Sequence, residues 1–322
     1  MKFVFIASDF APKIGGIAQF MYGIISQLPS ESVAAIALPT LGWKAFDEQQ
    51  DFLIHRLNAP SQWAESTSHT KWMLLQYFRK LQKIPNKDMI VCCHGNLTIM
   101  MAAYMFKKRR GTPFSIFLHG LDILSARNRR SWFLYKWVLQ SADLIFPNSV
   151  MIKNAALAGG VNSNAIHLIH PCVNVDDLHV NTPPDQLRQR LGLIDKFVIL
   201  TVARLTEAKG IDTIIQAMPQ VLKTIPNAHY VIVGEGPARL NLETLAADKK
   251  IEDYVTFLGE KAHRKIADYY AMSDLFVMTP HENQNTINVE SFGIVYLEAN
   301  FFGLPVIASS AGSVEDAVQH EE

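Results

Sequence analysis

Short apolar runs that alternate with longer amphipathic stretches constrain the fold of this chain more than any other feature. Fully apolar strands separated by helices are typical of parallel sheets covered by helices on both faces. The runs form two sets, so the pattern predicts an α/β fold with two Rossmann-like domains. The predicted strands are residues 3–7, 34–38, 89–93, 114–118, 143–146 and 166–169, and then 197–203, 229–233, 255–258, 274–279 and 305–308.

A segment without periodicity separates the two sets. Residues 171–184 are rich in Pro, Asn and Asp, which is typical of a linker. We therefore predict an N-terminal domain of residues 1–173 and a C-terminal domain of residues 174–322. A chain of 322 residues is long enough for two domains of ordinary size.

Composition excludes several classes of protein. Lys plus Arg and Asp plus Glu are both 30, so no overall field favours nucleic acid, and no nucleic-acid partner is predicted. The cysteines, Cys92, Cys93 and Cys172, have neither disulfide nor metal-site spacing, which is typical of a protein in the reducing cytoplasm. The first apolar run ends at Asp9, too early for a signal peptide, and no run reaches the roughly 18 apolar residues of a membrane span.

Ligands of open parallel sheets bind at the carboxyl ends of the strands, so the residues that follow each strand are the candidates. After the first strand, Gly15 and Gly16 precede a helix predicted to begin near Ala18. Paired glycines there let backbone approach a ligand and leave amide N–H groups free. A plain tight turn is the alternative, and the dinucleotide fingerprint is absent because its third glycine is missing.

A histidine follows two of the strands. His119 and Gly120 come directly after the strand 114–118, a position that favours contact with a substrate. The alternative is a partly buried histidine that caps a neighbouring loop. His94 and Gly95 repeat the arrangement after the strand 89–93, so the pattern does not single out His119.

Cations and glycines follow the strands of the second set. Arg204 and Lys209 suit a diphosphate, because Arg offers a planar fork and Lys a point charge to phosphate oxygens. A solvated loop with a salt bridge to Glu207 is the alternative. Gly234 and Gly236 form a predicted tight turn at the same edge, where their backbone could lie against a base or ribose.

Two carboxylates bracket a predicted helix start. Glu290 lies in a loop, Glu298 lies inside the helix, and Phe292, Gly293 and Ile294 lie where the helix begins. A helix N-terminus favours an anion, and the acids on either side can hold hydroxyls. This arrangement predicts a nucleotide-sugar site, with phosphate between two polyols.

Paired acids are also typical of glycosidases. Here, however, they accompany Arg204 and Lys209, and a glycosidase needs no diphosphate cradle. A nucleoside diphosphate is already a good leaving group that needs stabilisation of developing negative charge. The two cations and the backbone at Gly293 and Ile294 can supply it without a metal, so neither a metal nor a cofactor is predicted.

With these motifs in this order, the chain resembles the family 4 glycosyltransferases, which have the GT-B fold. The resemblance covers nearly the whole sequence. It is carried by Gly15-Gly16, His119-Gly120, Arg204 with Lys209-Gly210, Gly234-Glu235-Gly236, Glu290 and Glu298 around Phe292-Gly293, and Gly303-Leu304-Pro305.

The resemblance implies a UDP- or GDP-sugar donor, seated mainly on the second domain, and a glycan or lipid-linked acceptor on the first. It implies that Glu298 holds the ribose and that Arg204 and Lys209 hold the diphosphate. It further implies that Glu290 faces the transferred sugar, that His119 contacts the sugar near the reacting carbon, and that Gly16 closes onto phosphate. Transfer in this family retains the anomeric configuration. A same-face route is favoured, with the leaving phosphate as proton acceptor, so no nucleophile is assigned.

The resemblance also implies enzymes that build surface polysaccharides or glycolipids at the cytoplasmic face of a membrane. Residues 71–83 read as a basic amphipathic helix whose apolar face carries Leu74, Leu75, Phe78 and Leu81, and basic clusters follow at 107–110 and 127–130. Such a helix can lie on an anionic membrane. The alternative is an ordinary domain helix that packs on the sheet.

Two rival hypotheses remain. The family usually continues past Glu322 with further sheet and helix, so the second sheet is expected to lack an edge element, and a non-catalytic nucleotide-sugar-binding subunit that needs a partner is the main rival. An NAD-dependent Rossmann enzyme fits the strand pattern but lacks the glycine fingerprint and its acidic partner.

Overall fold

A computed structural model describes residues 1–13, 15–59, 70–281 and 290–320, and for Leu121, Asp177 and His263 it describes the backbone alone. The chain divides into two compact units, Met1–Pro171 and Cys172–Glu322. The predicted domain boundary lies two residues further along the chain. Each unit contains one parallel sheet, as the strand pattern predicted.

The first unit is built on a six-stranded sheet in the order β3-β2-β1-β4-β5-β6, and all of its pairings are parallel. Strands β2 and β5 are buried along their whole length because helices cover both faces. The strands are β1 (Phe3–Ala7), β2 (Val33–Ala37), β3 (Leu53–Arg56), β4 (Met89–Cys92), β5 (Phe114–Leu118) and β6 (Leu144–Pro147). The helices are α1 (Gly16–Ser26), α2 (Trp43–Asp47), α3 (Thr70–Lys83), α4 (Leu97–Arg110), α5 (Gly120–Arg127), α6 (Trp132–Gln140) and α7 (Val150–Ala158).

The second unit is built on a five-stranded sheet in the order β11-β10-β7-β8-β9, again parallel. Strand β8 is buried along its whole length. The strands are β7 (Phe197–Val202), β8 (Ala228–Val233), β9 (Val255–Gly259), β10 (Leu275–Met278) and β11 (Val306–Ala308). The helices are α8 (Pro184–Leu191), α9 (Ile211–Thr224), α10 (Arg239–Asp248), α11 (Ile266–Ala271) and α12 (Ile294–Phe301).

The sequence prediction of strands needs two corrections. Residues 166–169 form only an isolated bridge between Ile166 and Ile145 of β6, although His167 and Ile169 donate backbone hydrogen bonds along that strand. Conversely, β3 was missed. It is four residues long and ends in His55 and Arg56, so it lacks the apolar run that marks the other strands.

Helix α3 is an ordinary domain helix. Leu81 is buried as predicted, but the other fully buried positions are Met73 and Tyr77, whereas Leu75 is 44% exposed. Leu74 and Phe78 pack against the core, so the apolar face of α3 is used inside the unit. Among the described residues, no helix is both long and apolar enough to cross a bilayer.

Candidate functional site

The centre of the candidate site is an ion pair at the carboxyl edge of the second sheet. Lys209 Nζ lies 2.5 Å from Glu290 Oε2, and the two residues are 81 positions apart in the chain. The Glu290 side chain is 10% exposed and that of Lys209 is 27% exposed. An ammonium group has three donors, so Lys209 keeps donors for a second anion.

The loop after β7 is held in place by the loop after β10. Gly210, directly after Lys209, has a φ of +66°, and a Cβ there would lie 1.6 Å from the carbonyl oxygen of Thr279. Thr279 Oγ1 donates to the Gly210 carbonyl, and the His281 amide donates to Ala208. Only glycine fits this left-handed, crowded position, so the residue fixes the start of α9 and the direction of Lys209.

His281 adds a side-chain contact between the same two loops. Its Nε2 lies 3.0 Å from Asp212 Oδ1 and 3.4 Å from Thr213 Oγ1, both in the first turn of α9. Sequence reasoning missed this contact, because His281 and Asp212 are 69 residues apart. The predicted salt bridge between Glu207 and the neighbouring cations, our alternative, is absent among the described residues.

Helix α12 begins next to Glu290. Gly293 is the left-handed residue before the helix, and Ile294 opens it, so amide N–H groups of the first turn point beyond the helix end. Ser313 donates its amide to the Glu290 carbonyl, and Phe292 is buried. These contacts place an acid and a helix N-terminus side by side.

Tyr296 ties the start of α12 to the end of β10. Its hydroxyl donates to the Met278 carbonyl at 2.9 Å, and its amide donates to Gly293. Burial and, secondly, the Glu290 carboxylate raise the pKa of the Tyr296 phenol, so its proton stays in place.

Glu298 lies one turn into α12 and is 6% exposed. Tyr270 donates its hydroxyl to Glu298 Oε2 at 2.7 Å, and its ring stacks on Phe302. Burial, and then the charge of Glu298, raise the pKa of Tyr270 well above its usual value, so the phenol remains a donor. A carboxylate that accepts from a fixed phenol is itself fixed, which is what recognition of a diol requires.

Arg204 is exposed, and among the described residues its side chain has no ion-pair partner. The loop that carries it packs against the loop of Gly234 and Gly236. Leu205 donates its amide to the Glu235 carbonyl, and a Cβ on Gly234 would lie 1.8 Å from the Ala203 carbonyl oxygen. These two glycines therefore serve loop packing, and their contact with a base or ribose stays a prediction.

In the first unit, His119 precedes α5 at the carboxyl end of β5 and is 5% exposed. Its Nε2 lies 3.0 Å from the Cys93 carbonyl oxygen, which accepts only, so Nε2 carries the proton. Burial lowers the pKa of His119, and the effect of burial exceeds the opposing effect of Asp122. The ring is therefore neutral, with Nδ1 as an acceptor.

The second histidine, His94, is tied to the end of β1. Its Nε2 lies 3.0 Å from the Ser8 amide and 2.8 Å from Ser8 Oγ. Because an amide can only donate, Nε2 is the acceptor and the ring proton lies on Nδ1. Ser8 opens the loop that leads to Gly15, whose φ is +154°, and to Gly16, the first residue of α1.

Arg56 was also missed by sequence reasoning. Its buried guanidinium donates to the Ala11 and Leu38 carbonyls and forms a two-point ion pair with Asp47. It therefore holds together the loops that follow β1 and β2. An arginine in a polar stretch gives no sequence signal for such a role.

The structure thus brings Lys209, Glu290 and the start of α12 together at one edge, with Arg204 exposed on the loop that leads to Lys209. Within the described ranges, no cluster of three or more His, Cys, Asp or Glu residues has metal-site geometry.

Two family models match this chain. The one described as Glycosyltransferase Family 4 matches residues 14–177, and the one described as Glycosyl transferases group 1 matches residues 185–322. The first match covers half of the chain, and the two together cover nearly all of it.

Curated relatives include two mannosyltransferases. A GDP-mannose-dependent monoacylated alpha-(1-6)-phosphatidylinositol monomannoside mannosyltransferase of Corynebacterium glutamicum is 28% identical over 329 residues, which cover 98% of this chain and 82% of the relative. A GDP-mannose-dependent alpha-(1-6)-phosphatidylinositol monomannoside mannosyltransferase of Mycobacterium tuberculosis is 36% identical over 137 residues. That match spans 42% of this chain and only 36% of the relative.

Solved structures of similar fold include Anabaena Alr3699/HepE in complex with UDP and glucose. Its TM-score is 0.79 at 22% identity, with 99% of this chain and 83% of that chain covered. The catalytic domain of starch synthase IV from Arabidopsis thaliana, bound to ADP and acarbose, has a TM-score of 0.75 at 16% identity and covers 100% of this chain and 85% of that chain. At these identities the likeness shows the fold alone.

Proposed function

The chain belongs to glycosyltransferase family 4, the family that its motifs resemble, and from that premise we propose that it is a retaining glycosyltransferase. In this proposal it moves a hexose from a nucleoside diphosphate sugar to a glycan or lipid-linked acceptor, in glycolipid or surface polysaccharide biosynthesis. The predicted family, the GT-B fold and the glycosyltransferase class are confirmed. The configuration of the product, the donor and the acceptor belong to the proposal.

The observation that carries the proposal is the ion pair between Lys209 and Glu290 beside the start of α12. A buried or partly buried pair at a strand's carboxyl edge can serve stability alone, but this one keeps unused donors on Lys209. Its neighbour Arg204 is exposed and offers a planar fork. Phosphate oxygens can therefore meet both cations while the carboxylate meets a sugar hydroxyl.

In the proposed reaction, the bond between the anomeric carbon and the diphosphate oxygen breaks and charge develops on the diphosphate. Arg204, Lys209 and the first amide of α12 at Ile294 stabilise that charge. The acceptor hydroxyl attacks the same face of the sugar, and its proton goes to a diphosphate oxygen. These groups supply the charge stabilisation without a metal ion, so we propose that the transfer needs none.

Glu298 is proposed to accept the ribose hydroxyls. Its hydrogen bond from Tyr270 uses part of its acceptor capacity and fixes the plane of the carboxylate. A Glu298→Gln variant would keep one acceptor oxygen and lose the charge, so it should weaken nucleotide binding more than it weakens the fold.

From the first unit, His119 and Gly16 are proposed donor contacts by resemblance. His119 is held neutral by burial, so it acts as a hydrogen-bonding group and not as a cation. We propose that it contacts the donor sugar, whereas charge on the diphosphate is met by Arg204 and Lys209.

The relatives favour one donor for the first trial. Those named above are GDP-mannose-dependent enzymes that act on phosphatidylinositol mannosides. We therefore propose GDP-mannose as the donor and a lipid-linked glycan as the acceptor, which would place the enzyme at the cytoplasmic face of a membrane.

Thermal unfolding with GDP, UDP and ADP, and with their common sugar conjugates, tests the proposal. A ligand that binds only the folded chain raises its melting temperature by mass action. We expect a shift with GDP and GDP-mannose, and a smaller one in Glu298→Gln. Product formed with a mannolipid acceptor, analysed by NMR, should keep the α configuration of the donor.

Glu252→Gln is the matched control for Glu298→Gln, because Glu252 is exposed in the same unit. Equal shifts in both variants would contradict the role given to Glu298. A shift without turnover in any acceptor screen would favour the non-catalytic subunit, and an inverted product would overturn the retaining assignment.

A further inference from the structure

Strands β7 and β10 stop pairing with each other before they end. Their ladder contains two residue pairs, the last of them Phe276 with Leu200, although β7 continues to Val202. Beyond the ladder, the Thr201 hydroxyl donates to the Val277 carbonyl. The strand order changes direction here, because β8 lies on the other side of β7, and open parallel sheets bind ligands at such a point. The loops that follow β7 and β10 therefore need other contacts to align them.

The Thr279–His281 segment, directly after β10, supplies these contacts. Thr279 Oγ1 donates to the Gly210 carbonyl at 3.0 Å, and the His281 amide donates to the Ala208 carbonyl at 3.0 Å. The two carbonyls belong to the residues on either side of Lys209. The segment therefore holds the backbone directly before and directly after the cation of the candidate site.

The His281 ring makes a third contact, with the first turn of α9. Its Nε2 lies 3.0 Å from Asp212 Oδ1 and 3.4 Å from Thr213 Oγ1. The first distance is that of an ordinary hydrogen bond and the second is long for one, so Asp212 is the main partner. The side chains of His281 and Asp212 are 41% and 39% exposed. Solvent competes with such a contact, so it contributes little to the stability of the whole fold.

The position of Lys209 is where this contact has its largest effect. An ammonium group is a point charge on a flexible stem, so its place depends on the backbone that carries it and on its partner Glu290. Charge that develops on a leaving diphosphate is stabilised best by groups that are held in place in advance. A displacement of about 1 Å can lower a rate by about 100-fold.

We propose that His281 is a positioning residue for the transfer reaction and acts through Lys209. It fixes the start of α9 against the Thr279–His281 segment and so keeps Lys209 aligned with the diphosphate. The inference rests on the proposed function, which assigns Lys209 to that diphosphate. His281 itself contacts neither donor nor acceptor, so its removal should lower turnover and leave donor binding nearly unchanged.

Steady-state kinetics of His281→Ala with GDP-mannose and a mannolipid acceptor measure this role. We expect kcat to fall about tenfold, because Lys209 remains but is less well aligned. The KM for the donor should change by less than about twofold, because the loss is confined to the transition state. His281→Gln should recover most of the rate, since its amide can still donate to Asp212.

A double-mutant cycle tests whether His281 acts through Lys209. In the Lys209→Ala background, His281→Ala should lower kcat by less than about twofold, because the group that it aligns is absent. A further tenfold loss in that background would overturn the proposal, since His281 would then act on another group.

His179→Ala is the matched control, because it removes an exposed imidazole from the same unit. It should keep the kcat and KM of the parent. Amide hydrogen exchange of residues 203–213 gives a readout that needs no turnover. Exchange there should be faster in His281→Ala than in the parent or in His179→Ala, because a contact that closes the segment is lost. The melting temperature of His281→Ala should fall by no more than about 3 °C.

The outcomes distinguish this inference from the proposed function. Absence of turnover in the parent with every nucleotide sugar tried would overturn the proposed function, and the role of His281 with it. Turnover in the parent that is unchanged in His281→Ala would overturn the positioning role alone, as would unchanged hydrogen exchange. A large fall in melting temperature, with a loss of kcat that His281→Gln does not recover, would assign His281 to the fold.

Discussion

The two units use the same device at the amino ends of their strands. In the first, Asp143 precedes β6, accepts the amide of Phe114 at the start of β5 and pairs with Lys107. In the second, Asp274 precedes β10, accepts the amide of Val198 at the start of β7 and pairs with a helix cation, Arg188. An aspartate thus satisfies an N–H group near the start of a strand in each sheet, and a buried N–H group needs such a partner where the ladder ends.

The units differ at the carboxyl ends of their strands. The first unit ties its polar side chains to backbone: His119 bonds the Cys93 carbonyl, His94 bonds the Ser8 amide, and Arg56 bonds two loop carbonyls. The second unit pairs side chains with each other, as in Lys209 with Glu290.

This difference indicates that the carboxyl edge of the first sheet mainly holds loops in place, whereas that of the second sheet is suited to bind a ligand. We call them the shaping edge and the binding edge. A side chain that donates to a buried backbone carbonyl cannot turn away without leaving the carbonyl oxygen unpaired. An unpaired buried oxygen lowers the stability of the fold. Two side chains that pair with each other at a partly exposed edge can each exchange that partner for an atom of a ligand. We therefore expect substitution of Arg56 in the first unit to act on stability, and substitution of Lys209 in the second to act mainly on activity. His119, which is both tied to backbone and a proposed donor contact, should affect both.

The largest expected effect is that of Arg56→Ala. It leaves Asp47 as a poorly exposed charge and two carbonyls without their donor, so the free energy of unfolding should fall by about 3–5 kcal/mol. Urea unfolding measures the loss. Arg56→Lys should recover little, because lysine lacks the planar fork that reaches both loops and Asp47.

Arg79→Ala serves as the control, because Arg79 is exposed on α3. Its free energy of unfolding should change by less than about 0.5 kcal/mol. A similar small change in Arg56→Ala would contradict the shaping role of the first unit's edge.

Lys209→Ala should lower activity much more than it lowers stability. Loss of a positioned cation that stabilises the leaving diphosphate should lower kcat/KM by about 100-fold or more, which corresponds to about 2.7 kcal/mol of transition-state stabilisation. The free energy of unfolding should fall less than in Arg56→Ala, because the Lys209 side chain is 27% exposed and, unlike that of Arg56, donates to no loop carbonyl among the described residues. Initial rates with GDP-mannose and urea unfolding give the two numbers.

Lys249→Ala, an exposed lysine of the same unit, is the matched control and should retain activity. If Lys209→Ala instead lost stability and kept kcat/KM, the ion pair would serve the fold, and the comparison between the two edges would fail.

Local features of the sequence predicted much of this architecture. The apolar runs of the central strands and the spacing from Glu290 to Glu298 are readable because each lies within one element or one loop. Strand β3 was missed because its residues include His55 and Arg56, which do not form an apolar run. An edge strand needs only one neighbour, so it tolerates such residues.

Contacts between side chains far apart in the sequence were not predictable in the same way. Sequence reasoning gave Lys209 a neighbour, Glu207, as the alternative partner, whereas the structure pairs it with Glu290, 81 residues away. The bond from Tyr270 to Glu298 spans 28 residues and depends on how α11 meets α12. Such contacts follow from strand order, which the apolar pattern alone does not determine.

Asp274→Ala and Asp143→Ala test the device that the units share. Each variant leaves a strand N–H group without its acceptor and removes the carboxylate partner of a cation, so each should lower the free energy of unfolding by about 1–3 kcal/mol. The cations keep one acceptor each, the Ser141 carbonyl for Lys107 and the Met272 carbonyl for Arg188. Asp274→Ala should cost slightly more, because its partner Arg188 is 19% exposed whereas Lys107 is 31% exposed. Urea unfolding of the two variants measures whether the two sheets depend equally on these aspartates. Asp185→Ala, at an exposed position, is the control.

The smallest expected effect is a pH dependence from two buried histidines, one in each unit. Burial lowers the pKa of His119, and burial followed by Lys196 lowers that of His229, from the ordinary value of 6.5. The unfolded chain then takes up protons first, so stability is complete above pH 6.5 and declines as the pH falls below it. The slope is at most about 1.4 kcal/mol per pH unit for each histidine.

His119→Asn and His229→Asn should each flatten the decline below pH 6.5 in urea unfolding, because asparagine does not titrate there. His179→Asn, at an exposed position, is the control and should leave the profile of the parent. If His119→Asn left the profile unchanged while His229→Asn flattened it, the ring of His119 would take up its proton in the folded chain. The first unit's edge would then carry a charge that its backbone contacts exclude, and the distinction between the shaping and the binding edge would have to be withdrawn.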